Sequence, residues 1–132
     1  MHKLGLVTLL VREYDEAITF FTGALPFVLV EDTELSAGKR WVVIAPAGAS
    51  EAGILLARAT TPEQLTRMGD QMGGRVSWFL HTDDFIRDYE SMRAHGVKFL
   101  EDPRREAYGT VAVFADLYGN RWDLLEPVVI GA

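Results

Sequence analysis

The chain repeats itself. Residues 6–32 read LVTLLVREYDEAITFFTGALPFVLVED and residues 77–102 read SWFLHTDDFIRDYESMRAHGVKFLED. Each stretch is an apolar run, an acidic turn, a helical pattern and a second apolar run. Adding 71 carries Glu13 onto Asp84 and Tyr14 onto Phe85, and beyond the helix adding 70 carries Phe27 onto Val97. An internal repeat constrains the fold more than any local motif, because each copy must be one supersecondary unit.

The spacing inside the repeats predicts the elements. Tyr14, Ile18, Phe21 and Leu25 fall on one helical stripe, as do Phe85, Tyr89 and Met92, so each helix lays one face on a sheet. Asp84 suits the N-cap and Gly96 the position after the helix end. Two further β-rich runs follow in each half, KRWVVIA and ILLA in the first, TVAVFA and RWDLL in the second, separated by turn residues at 46–48 and 116–120. Between the halves Thr61 and Pro62 open a short helix, and Gly73-Gly74 breaks the chain. The expected architecture is α+β: two tandem βαβββ modules, residues 1–60 and 76–132, joined by a linker at 61–75, with cupped sheets and helices on the outer face. The loop at 71–75 lacks the spacing of a phosphate motif and reads as a plain connector.

Composition narrows the function classes. With 48% apolar and 24% charged residues over 132 positions, the chain can bury a substantial core. There are no cysteines, which excludes thiolate metal sites, disulfides and cysteine nucleophiles. The formal net charge of −6 speaks against a nucleic-acid partner, whose phosphates call for a basic face, and mildly favours a cationic ligand. No stretch reaches the roughly 20 apolar residues of a membrane helix, and the apolar run near Lys3 lacks a cleavage site, so a cytoplasmic location without membrane contact is expected.

The runs VTLLVREYDEAITFF, LPFVLVED and FADLYGNRWDLLEP resemble the vicinal oxygen chelate superfamily, the group of glyoxalases, bleomycin resistance proteins and extradiol dioxygenases. The resemblance spans essentially the whole chain; Pro26 stands where the family usually has glycine. It implies a divalent metal held by a His or similar residue on the first strand and a Glu on the last strand of each module. Here the first-strand positions are Leu6 and Ser77, and the last-strand positions are read as Arg58, to within about one residue, and Glu126. Leucine cannot ligate and arginine repels a cation, so the expectation is no metal, with a divalent ion as the alternative.

If the family's cleft is retained, period-two alternation places Leu6, Thr8 and Leu10 on one wall, Ser77, Phe79 and His81 on a second, Ile54, Leu56 and Arg58 on a third, and Trp122, Leu124 and Glu126 on the last. The aliphatic members serve equally well as core. Trp122 is the expected aromatic platform and Trp78 is expected in the core, while Tyr108 and the loop at 103–106 would form a rim. Arg58 and Glu126 are expected to pair where relatives hold the metal. His81 is the one histidine that faces this wall; His2 is terminal and His95 ends a helix. The expected function is binding of a small, partly aromatic ligand by a homodimer. The alternative is an enzyme, either a metal-dependent lyase, isomerase or dioxygenase, or a metal-free catalyst using Glu126 and His81.

Overall fold

The computed structural model describes residues 1–48 and 52–128. The last four residues of the expected second module, 129–132, lie outside the described residues. The chain forms two compact units, one spanning Met1–Gln71 and one beginning at Met72.

The first unit runs β1 (Leu6–Val11), α1 (Tyr14–Gly23), β2 (Phe27–Ser36), β3 (Lys39–Pro46) and β4 (Gly53–Arg58), followed by the short helix α2 (Pro62–Arg67). Its sheet has the order β1-β4-β3-β2, with β1 parallel to β4 and the other pairs antiparallel. Of the predicted stripe on α1, Tyr14 and Phe21 are buried and Leu25 follows them into the core, while Ile18 is half-buried and Ala17 takes the covered position beside it. On α2, the Thr61 hydroxyl accepts the Gln64 amide at 3.1 Å, as expected of a cap.

The second unit repeats the plan with β5 (Val76–His81), α3 (Phe85–Ala94), β6 (Lys98–Phe99), β7 (Arg104–Glu106), β8 (Gly109–Ala115) and β9 (Arg121–Pro127). Its order is β5-β9-β8-β6, with β7 also on β8, and β5 is parallel to β9. Asp84 caps α3 by accepting the Arg87 amide, and Gly96 takes φ +85° just beyond the helix, a left-handed conformation that glycine adopts without strain. The first unit is thus βαβββ and the second has the same plan with one added strand, β7, and the α+β expectation holds.

Two differences from the sequence reading concern the second module. The single strand expected over 97–102 is cut to two residues, and the loop expected at 103–106 is a strand, β7, paired with β8 from Arg104↔Val111 to Glu106↔Gly109. Pro103 explains the cut, since it has no N–H to give to a ladder, so strand pairing stops and restarts around it. Charged Arg104-Arg105-Glu106 hid the restart, because edge strands carry charge without losing their pairing.

Register fixes which face each side chain takes, since paired residues share a face. In the first unit Leu9, Val11, Val42, Ile44 and Leu56 are fully buried on the α1 side. Thr8, Leu55 and Val43 lie in one row on the other face, with Leu10, Ala57 and Trp41 beside them. In the second unit the α3 side carries Leu80, Trp122, Leu124 and Phe114, all under 5% exposed. Phe79, Asp123 and Val113 form a row on the opposite face, flanked by His81 and Leu125.

The turn between β8 and β9 is organised by one carboxylate. Asp116 Oδ1 accepts the amides of Tyr118, Gly119 and Asn120 at 2.9–3.0 Å, and its Oδ2 accepts the Asn120 side-chain amide and the Trp122 indole N–H. The D-x-x-G-N-x-W run is therefore a folding device that locks the turn to the core tryptophan. At the other unit's rim, the Gln71 carboxamide closes the free edge of β1: it accepts the Leu10 amide at 3.0 Å and donates to the Thr8 carbonyl at 2.7 Å.

Candidate functional site

The first unit holds a cavity of about 480 Å³ where β1 and β4 end and β3 begins. Thr8, Leu10, Leu55 and Ala57 supply its apolar floor from the face turned away from α1, and Trp41 adds an aromatic side. Arg58 reaches in from the end of β4, and its Nη2 donates to the Gly38 carbonyl at 3.0 Å. Gly38 has φ +78°, so the β2–β3 turn can present that carbonyl without strain. The Arg58 Nε is buried and has no hydrogen-bond partner. Arg40, also at the wall, is fully engaged by Asp32, through Nε at 3.1 Å and Nη2 at 2.7 Å, and by Asp15 at 2.9 Å.

Thr8, Leu56 and Arg58, named from sequence, do come together at this cavity. Leu56, however, is fully buried and shares its face with Leu9, so its side chain belongs to the core. The exposed face of β4 is formed by Leu55 and Ala57, one residue out of phase with the expectation. Leu6 lies on the same face as Thr8 and is 36% exposed, outside the cavity lining.

In the second unit Phe79 and His81 occupy the face away from α3, as alternation predicts, with Phe79 60% exposed. Ser77 falls in a bulge between the Val76 and Trp78 pairs, which breaks the alternation there. Trp122 is a correction: it is 2% exposed, packs 5.0 Å from Trp78 on the helix side and gives its N–H to Asp116, so it is core and no ligand platform. Glu126 shares that phase, and its Oε1 accepts the Phe85 amide at 2.8 Å, which makes it a cap for α3. It also borders a hollow of about 500 Å³ with His81, Thr82 and Asp83. Within their own units, Arg58 is engaged by the Gly38 carbonyl and Glu126 by the Phe85 amide. Tyr108 is half exposed, and its hydroxyl accepts Arg104 at 3.4 Å in a charged group with Glu101 and Glu106.

The acid that β9 presents on the face away from α3 is Asp123. It is 6% exposed, its Oδ1 has no partner, and burial pushes its carboxyl above the usual range, countered by Arg104 and reinforced by Glu101. The sequence held the signal: once Trp122 is core, alternation turns Asp123 to the other face. Trp41 was legible in the same way, as the odd member of KRWVVIA beside core Val42.

The positions that the superfamily resemblance assigns to a metal do not fit one. Leu6 has no donor atom, Arg58 is cationic and its neighbours Ala57 and Ala59 have no donor side chain, which leaves only Ser77 and Glu126 of the four.

Comparison with known proteins is decided by a family profile, the Glyoxalase/Bleomycin resistance protein/Dioxygenase superfamily, which matches residues 3–124. The chain belongs to this superfamily. Its relatives include an uncharacterised protein of Shewanella frigidimarina (strain NCIMB 400), 54% identical over 121 residues and covering 91% of this chain and 90% of that one. Among solved structures, UcmS2 superposes with a TM-score of 0.82 at 29% identity, over 96% of this chain and 98% of that chain. TnmS3, an antibiotic binding protein from Streptomyces sp. CB03234, superposes with a TM-score of 0.78 at 26% identity, covering 97% and 98%. No described helix of this superfamily member is long and apolar enough to cross a membrane.

Proposed function

We propose that this superfamily member is a metal-independent binding protein for a small, partly aromatic molecule, held on the first unit's sheet face. The observation that carries the reading is the cavity of about 480 Å³, with an aliphatic floor, the Trp41 ring and polar side chains at its wall. Its size lies within the usual range of small-molecule sites, and its mix of apolar area with convergent polar groups is theirs as well. The likeness to an antibiotic binding protein at 26% identity supports the same class of ligand. The donor-poor metal positions favour sequestration over Lewis-acid chemistry. We further propose a cytoplasmic homodimer.

The test is thermal unfolding against a panel of planar aromatic compounds and aromatic antibiotics, each also incubated with the protein and recovered for mass analysis. Saturable stabilisation with the compound recovered intact is the expected result, and Trp41→Ala removes it. Recovery of a chemically altered compound would move the protein to the enzymes. Failure of the whole panel to stabilise it would end the binding reading.

A further inference from the structure

The charge of the ligand can be read from the cavity wall. Three cationic residues, Lys39, Arg40 and Arg58, line the first unit's cavity, and among the described residues no aspartate or glutamate does. That is the reverse of the whole chain, whose formal net charge is −6. The three cations are not equivalent. Arg40 is held by Asp32 and Asp15 and stands 5.1 Å over the Tyr14 ring, so its charge is answered locally. Arg58 and Lys39 form no ion pair among the described residues.

Arg58 is the more telling of the two. Burying part of a guanidinium costs free energy unless its donors are answered. One terminal nitrogen is used on the Gly38 carbonyl, while the buried Nε has no acceptor. The remaining guanidinium donors are those that a ligand in the cavity can meet. The Trp41 ring and the aliphatic floor beside it suit a flat apolar body.

We propose that the ligand is a planar aromatic anion, a carboxylate in the first instance, whose ring lies against Trp41 and whose charged oxygens meet Arg58 and Lys39. A carboxylate matches the flat donor edge of a guanidinium, which a cation or a neutral hydroxyl does not. This inference rests on the binding reading above and reverses the preference that net charge alone suggests.

Three matched naphthalene probes test it by calorimetry: 2-naphthoate, 2-naphthalenemethanol and 2-naphthylmethylamine. The naphthoate is expected to bind at least about tenfold more tightly than the amine, with the alcohol between them. Arg58→Gln is expected to weaken naphthoate about tenfold and leave the alcohol within about twofold, and Lys39→Gln to weaken naphthoate about threefold. Arg58→Lys, which keeps the charge, is expected to recover part of the loss. If Arg58→Gln does not fold, added salt on the unaltered protein serves instead, weakening naphthoate and not the alcohol. Equal or tighter binding of the amine, or naphthoate affinity indifferent both to Arg58 and to salt, overturns the anion while leaving aromatic binding intact. Absence of heat from all three probes at millimolar concentration removes both.

Discussion

Asp32 and Asp123 are both strand aspartates, and their surroundings push them in opposite directions. Two hydrogen bonds from Arg40 hold Asp32 below the usual carboxylate range. Its stabilising contribution is therefore complete above the unfolded value of about 3.9 and is lost as pH falls through the lower folded value. Asp123, raised by burial, has the other sign. It costs nothing below about pH 3.9, and its penalty grows as pH rises through its elevated folded value. Asp123→Asn should accordingly raise the melting temperature at pH 7, with the gain fading as pH drops below about 4. Melting curves across pH decide it; a gain that persists unchanged in acid would trace to packing and not to charge.

At the level of elements, β8 and β9 are fixed by a turn at one end and by a close backbone approach at the other. Gly109 opens β8 with φ +152°, and a Cβ there would run into the Glu126 carbonyl. Since backbone has little freedom to retreat, Gly109→Ala should cost about 2–4 kcal/mol, read by urea unfolding. A loss under about 0.5 kcal/mol would mean that β9 yields at that point. The helices and long strands were legible because their periods match their burial: Tyr14, Phe21, Phe85 and Met92 sit where the stripes put them. What escaped the sequence was phase. Leu56, Trp122 and Glu126 were turned to the wrong face, since alternation gives the period of a strand and only its partners give the side. Thus Arg58 entered the site by reaching around the end of β4, while Asp123 and Trp41 were passed over.

For the molecule as a whole, the two units carry the same strand order on little shared sequence. The first leaves Val28, Val30 and Leu35 of its outer strand β2 at 46–59% exposure. Exposed aliphatic side chains on an edge strand invite another protein surface. If the protein is the proposed homodimer, light scattering should give twice the 14.7 kDa of the chain at micromolar concentration, and Val30→Lys should shift the population toward monomer without lowering the dilute-limit melting point. A single-chain mass at every concentration would set the dimer aside. The opposite rim, β1, is treated differently. There the Gln71 carboxamide answers an outward N–H and an outward C=O at once, as the next strand of a ladder would. Two of the edge groups that an incoming strand would use on this rim are therefore already taken, which makes β2 the readier edge for strand addition.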